Sequence, residues 1–372
     1  MQKKMLISGG AGFIGSHLCD KFLEKGYTVR VLDNMDEQVH GASCTRPDYL
    51  NPEVELMIGD IRDPVAVKKA IQGVDQVYHL AAKVGVGQSM YEIVNYTDVN
   101  NLGTATLLEA LIENPVEKLV VASSMSIYGE GLYRNSSNQI IPGFERNLED
   151  IKKGRWELYD NKKEVLVPVP THEKKTPILN SVYALSKYDQ EQLCLMTGRA
   201  YNFPVVALRF FNVYGTRQAL SNPYTGVLAI FASRYLNGKP PVIFEDGEQK
   251  RDFIHVKDVV NALVLAGEKE QAVGRVYNIG SGNAYTVNYI AGSLAEVMGK
   301  ENIQPSLTGK YRAGDIRHCF ADIALAEEEL GFRPHVQLKD GLSELAIWLE
   351  GQQAFDRVDI AGKELEKRGL AI

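Results

Sequence analysis

The strongest constraint on this chain is a run of glycines placed directly after a short apolar stretch. Lys4–Ser8 reads as a strand, and Gly9, Gly12 and Gly15 follow it in a G-x-x-G-x-x-G turn opening a helical pattern at Phe13 and Ile14. Glycines at such spacing let a strand turn sharply into a helix and let backbone approach a pyrophosphate at the helix N-terminus. The spacing is a variant of the usual G-x-G-x-x-G fingerprint. A second strand, Thr28–Leu32, ends at Asp33, about twenty residues beyond the loop. A carboxylate there accepts from an adenosine ribose and repels a 2′-phosphate, which predicts NAD rather than NADP. A glycine-rich turn with a capping aspartate would match any one of these positions. Strand, loop, helix, strand and acid in that order predict a dinucleotide site.

The alternation continues. Val54–Ile58 runs to Gly59-Asp60, a helix is expected over about 64–72, and Gln76–Ala82 is a strand ending in small residues. A helix over about 96–114 then precedes the buried strand Lys118–Ser124. Such alternation predicts an α/β fold, a doubly wound parallel Rossmann sheet with helices on both faces. Ligands collect at the carboxyl ends of the strands in such sheets, where Gly9, Asp33, Asp60, Ala81, Ser124 and Asn212 fall. At 372 residues the chain exceeds a usual single core. Residues 1–212 are read as the cofactor domain, with an insert at about 130–180, and 213–372 as a smaller C-terminal substrate-binding lobe. Segments near 252–262 and 275–280, the latter around Val276–Gly280, are expected to return to the main domain, so the lobes interleave. The insert is rich in charge, and a lid, a specificity element and a packed surface insertion all remain open for it. The tail from Asp356 to Leu370 reads as a charged amphipathic helix suited to surface packing.

Composition narrows the function classes. Apolar content of 45% and charged content of 24% are ordinary for a globular protein, and a net charge of −6 speaks against nucleic-acid binding through bulk positive charge. No leader pattern and no bilayer-spanning apolar stretch is expected, so the chain reads as cytoplasmic and free of membrane. Cys19, Cys44, Cys194 and Cys319 are scattered without C-x-x-C pairing, as free thiols would be, and no metal site is expected.

Tyr183 and Lys187, in Ser-Val-Tyr-Ala-Leu-Ser-Lys, stand four apart on an expected helix at 182–200 and so share a face. A free tyrosine titrates near pH 10, about three units too high for a base at neutral pH, and a nearby cation lowers it. Alone, the pair is equally a half-buried ring beside a solvated charge. Ser124, at a strand end, could hydrogen-bond a substrate oxygen or simply cap the following turn.

Together these residues resemble the extended short-chain dehydrogenase/reductase superfamily, in its NAD-dependent nucleotide-sugar epimerase/dehydratase branch. The resemblance is carried by the glycine loop, Asp33-Asn34, Gly59-Asp60, His79–Ala82, Asn100 with Gly103-Thr104, Ser124, Tyr183/Lys187, Arg209–Gly215, Arg251–Asp258 and Arg312–Asp315. It implies cofactor contacts at Gly9, Gly12, Phe13, Ile14, Gly15, Asp33, Asn34, Asp60, Ile61, Leu80, Ala81, Ala82, Asn100, Tyr183, Lys187 and Phe210. It implies substrate contacts at Ser124, Ser126, Asn212, Val227, Arg251, Arg312 and Asp315, with a nucleotide diphosphate-sugar as partner. In that family Tyr183 would be the base at the sugar 4-hydroxyl, Ser124 would orient the 4-oxygen, and Lys187 would hold the nicotinamide ribose and tune the tyrosine. A pairing of helices near 96–114 and 182–200 across a homodimer is implied likewise.

The family's dehydratases place Asp or Glu just after the active-site serine, and its decarboxylases keep a Glu where this chain has Ser126; here the two positions are Met125 and Ser126. Their absence favours 4-epimerisation, with dehydratase, decarboxylase or net 4-keto reductase activity as alternatives, and Glu130 near enough in sequence to leave that choice open. A net oxidoreductase and a non-catalytic dinucleotide sensor are the rival classes, although a sensor would be expected to have lost Tyr183 or Lys187. The layout, insert included, looks like that of dTDP-L-rhamnose 4-epimerase-type proteins and is similar to UDP-glucose 4-epimerases. Cysteine pairs that look like a zinc site in such inserts have no counterpart here.

Overall fold

The computed structural model describes residues 2–42, 45–224 and 226–371; Cys44 lies outside them. Seven parallel strands form the central sheet, in the order Val276–Ile279, Val205–Phe210, Lys118–Ser124, Gln76–His79, Lys4–Ser8, Thr28–Asp33 and Glu55–Ile58. Chain order reverses between Lys4–Ser8 and Gln76–His79, which opens a crevice beyond the carboxyl ends of those strands. Side chains alternate across the sheet. Met5 and Ile7 join one buried layer with the helix Val256–Glu268, while Leu6 and Leu32 join the other with Val67, Leu107 and Leu111. A separate core of Phe231, Ile290, Leu294, Leu342 and Leu345 underlies the later part of the chain.

Local chemistry explains the elements that carry the site. The helix Phe13–Glu24 starts at Gly12 without any side-chain cap. The helix Val182–Tyr201 is capped by Ser181, whose Oγ accepts from Ala184 N at 3.1 Å, and it stops at Asn202 in the left-handed region. The helix expected over 96–114 is broken into Ile93–Tyr96, a π-helical turn Thr97–Leu102, and Gly103–Glu113. A Cβ on Gly103 would lie 2.6 Å from Ile61 Cγ2, so the glycine lets this helix close onto the loop after Glu55–Ile58. The insert forms a three-stranded antiparallel sheet, with Leu132–Arg134 between Ile140–Pro142 and Val167–Val169, over a small core of Tyr133, Leu158 and Leu166. Among the described residues, no helix is long and apolar enough to cross a membrane. Cys19, Cys194 and Cys319 are buried and unpaired.

Candidate active site

A cleft of about 1080 Å³ runs from the glycine loop, past the ends of the central strands, to the helix Val227–Leu236 and the chain's last helix. At one end its geometry suits a dinucleotide. A Cβ on Gly9, whose φ is +71°, would sit 2.8 Å from Ala81 N, and one on Gly15 would sit 2.5 Å from Gly10 Cα. A Cβ on Gly12 would face nothing nearer than Gly9 O at 3.4 Å, so the loop is packed below and open above. With no side chain capping the helix, its first N–H groups are left for an anion. Asp33 accepts from Ala11 N and Met35 N, each at 3.0 Å, which fixes its carboxylate at the cleft wall with lone pairs to spare. Asn34, Phe13, Ile14, Ile61, Leu80, Ala81, Ala82 and Phe210 line the same stretch.

Two expected cofactor contacts stand outside the cleft lining. Asp60 accepts from Arg62 N at 2.9 Å, Nε at 2.8 Å and NH2 at 2.7 Å, and from Asn34 Nδ2 at 3.3 Å. The hydrogen-bonded Arg62 guanidinium holds its carboxyl down at about 2. Asn100 donates to Lys83 O and Ser186 Oγ and accepts from Lys83 N at 2.7 Å, so it props the loop that lines the cleft. Sequence marks the residue type but not which neighbour consumes it.

Ser124, Tyr183 and Lys187 meet where the two ends join. Ser124 Oγ donates to Ser126 Oγ at 3.0 Å and accepts from Ser126 N at 3.2 Å, so it caps the turn and faces the cleft at once. Tyr183 packs edge-on to Tyr96, with ring centroids 6.4 Å apart. Burial raises its pKa and a hydrogen bond with Ser124 pulls it back down. Lys187, expected from sequence to lower it, stands one helical turn further along the same helix. Lys187, itself buried, donates to Gln190 Oε1 at 2.7 Å, and burial brings its pKa down to about 8. Gln190 in turn donates to Thr104 Oγ1 at 2.8 Å, so the ammonium is held from below rather than by the phenol. Glu130, the carboxylate in doubt, is 2% exposed and absent from the cleft lining, where Met125 and Ser126 do appear.

The far end gathers the remaining expected residues. Asn212 lines it with a side-chain oxygen that finds no partner among the described residues. Val227 opens the helix that forms one wall. Arg251 donates to the carbonyls of Lys250, Arg317 and Ile316 and has no carboxylate partner among the described residues. Arg312 makes a forked pair with Asp315, at 3.1 and 2.7 Å, over the Phe244 ring.

Sequence reading missed several wall residues. The last helix, Val358–Lys367, lines the cleft through Ala361, Lys363 and Leu365 instead of packing on an outer surface. Asp356, just before it, and Asp359, in its first turn, pair with the buried Arg234 at 3.0 and 2.7 Å. Its amphipathic pattern was visible, but nothing local showed what it covers. Across the cofactor end, Lys83 Nζ donates to Asp36 at 3.1 Å, while Gln38 Nε2 donates to Gln88 at 3.1 Å and Asn222 at 2.9 Å. These pairings span up to 184 residues of sequence and carry no local signal.

The model of the NAD dependent epimerase/dehydratase family matches residues 5–150 and 156–280. The dTDP-L-rhamnose 4-epimerase of Burkholderia thailandensis is 32% identical over 95% of this chain and 96% of its own. Among solved structures, the UDP-glucose 4-epimerase of Thermotoga maritima with UDP-glucose is similar at a TM-score of 0.76 and 32% identity, covering 93% of this chain and 98% of that one. The UDP-glucuronic acid 4-epimerase of Bacillus cereus, in complex with UDP-glucuronic acid and NAD, matches at a TM-score of 0.76 and 29% identity, covering 93% and 99%.

Proposed function

The chain belongs to the NAD dependent epimerase/dehydratase family, and from that premise we propose that it is an NAD-dependent 4-epimerase of a nucleotide diphosphate-sugar. The observation that carries this reading is the meeting of Ser124, Tyr183 and Lys187 at one wall of a cleft whose nearby wall has Met125 and Ser126 where an eliminating enzyme needs a carboxylate. Glu130 is turned away and fully engaged elsewhere. The glycine loop and Asp33 would hold NAD, which would supply the acceptor and later the donor of the C4 hydride. Tyr183 takes the proton of the 4-hydroxyl and returns it in the second half-reaction, so no net redox change results. Ser124 fixes the 4-oxygen, and Lys187 supplies the positive charge that makes the phenolate accessible. Return of hydride to the other face requires the 4-keto ring to turn over. The diphosphate must therefore stay anchored while the sugar moves, a task suited to Arg251 and Arg312 through directed, charge-assisted donors.

Incubation with a panel of dTDP-, UDP- and GDP-hexoses, followed by NMR at C4, tests the reading. Interconversion of C4 epimers without added cofactor is expected. Stoichiometric release of NADH with substrate would overturn it in favour of net oxidation.

The same reading extends to assembly and location. The segment around 93–113 and the helix Val182–Tyr201 pack together, and Ile93, Val94, Leu102, Leu185 and Met196 are exposed on them. A second copy of the chain would cover that apolar surface, giving a homodimer. Light scattering that returns the mass of one chain would refute this. A cytoplasmic setting accords with the unpaired buried thiols of Cys19, Cys194 and Cys319.

A further inference from the structure

Behind Arg251 and Asp315, outside the cleft, lies a cluster of charges that the proposed reaction does not use. Glu130, Arg146, Glu245 and Arg317 are each more than nine-tenths buried. Arg146 pairs with Glu245 at 2.7 Å and with Glu130 at 3.5 Å. Arg317 pairs with Glu245 at 3.0 Å, Asp246 at 2.6 Å and Glu157 at 2.6 Å. Buried ions are costly to desolvate and are weak evidence for stability alone. Two features of this cluster point past stability.

First, its members hold a particular stretch of backbone. The Glu130 carboxylate accepts from Arg317 N at 2.5 Å and from His318 N at 3.1 Å, with Tyr133 OH donating at 2.7 Å. Arg146 NH2 donates to the Asp315 carbonyl at 3.4 Å, and Gly131 N donates to His318 O at 2.8 Å. Residues 315–318 are thus gripped by the insert. Second, that stretch aims the substrate-facing groups. Its carbonyls at Ile316 and Arg317 accept from the two terminal nitrogens of Arg251, and it carries Asp315 at its start. Arg251 has no carboxylate partner among the described residues, so its direction depends on those carbonyls and on that of Lys250. Burial lowers the pKa of Arg251, and the negative charges of Asp315, Glu130 and Glu245 oppose that shift.

We propose that the insert is a positioning device for the diphosphate: Glu130 and Arg146 fix residues 315–318, which aim Arg251 and present Asp315. This rests on reading Arg251 and Asp315 as substrate contacts. It gives the insert a task within an epimerase, because the anchor must stay rigid while the sugar turns over.

Calorimetric titration of the full chain with UDP and with dTDP tests the proposal, each variant being measured well below its own melting temperature. Glu130→Gln is expected to weaken the better of the two nucleoside diphosphates about 10-fold, as loss of an orienting partner does elsewhere, with bound NAD unchanged. Arg146→Met should act similarly, and Arg146→Lys, which keeps the charge, should recover most of the loss. If Glu130→Gln does not fold, the Arg146 pair of variants decides. Unchanged affinity in variants that merely melt lower would overturn the proposal and leave Arg251 as a contact. If the wild type binds neither of these diphosphates nor GDP, the reading of the site itself fails and the proposal falls with it.

Discussion

At one end of the cleft, a single stretch of seven residues, Gly9 to Gly15, leaves backbone N–H groups open to an anion at the uncapped start of a helix. The other end presents the guanidiniums of Arg251 and Arg312. Arg251 is held by carbonyls of residues 316 and 317, in a stretch gripped by Glu130 at 317 and 318 and by Arg146 at 315, and Arg312 pairs with Asp315 while its backbone bridges to Ala371. The first grip uses uncharged backbone and is local, built by omission of side chains. The second is charged and assembled from four distant segments. A backbone cradle tolerates no added atom but needs no partner, whereas a guanidinium is only as well aimed as what surrounds it.

The largest effect is expected between the two ends. Tyr183→Phe should leave both grips intact and remove only the proton-transfer group, lowering kcat by about 10³-fold. Retained NAD and retained UDP or dTDP affinity, measured on the same preparation, would show that chemistry is separable from either grip. Near-normal turnover would remove Tyr183 from the base role.

Gly15→Ala tests the cofactor end. Its Cβ would meet Gly10 Cα and Gly9 O at 2.5 Å, and both are backbone atoms that cannot swing aside. Overpacking of this kind costs about 1–3 kcal/mol, read as a lower melting midpoint together with loss of bound NAD. Nucleoside diphosphate affinity at the far end should change much less. Equal loss at both ends would break the distinction drawn between them.

This difference in construction explains what could be read from the sequence. The glycine loop, the strand ending at Asp33 and the helix begun by Ser181 are set by neighbours within a few residues, so their patterns were legible. The placing of Ser124 at a strand end and of Tyr183 and Lys187 on one helix face was legible in the same way, while their roles came only from the family resemblance. The grip on residues 315–318 was not: nothing near Glu130 announces that its carboxylate serves backbone nearly two hundred residues away. Proximity in sequence made Glu130 a candidate for the chemistry, and packing gave it other work. The last helix likewise showed its amphipathic face, while Arg234, which fixes its place, lies more than a hundred residues earlier.

Asp60 is the expected cofactor contact whose side chain the structure engages elsewhere, and it yields the smallest effect. Its position past a strand end marks it as a cofactor contact, yet its oxygens are taken by Arg62 and Asn34 and it does not line the cleft. Asp60→Asn should therefore leave NAD affinity within about twofold while weakening the fold at neutral pH by about 1 kcal/mol, discounted because the carboxylate is partly solvated. The sign follows from the depressed pKa, about 2 against an ordinary 3.8. Above the ordinary value the ion pair with Arg62 is fully formed. As pH falls from near 4 towards 2 the unfolded chain takes up the proton first, and the contribution disappears. Denaturant melts of wild type and Asp60→Asn should thus differ at pH 6 and converge in strong acid. A tenfold loss of NAD affinity in the variant, with parallel melts at both pH values, would instead return Asp60 to the cofactor end.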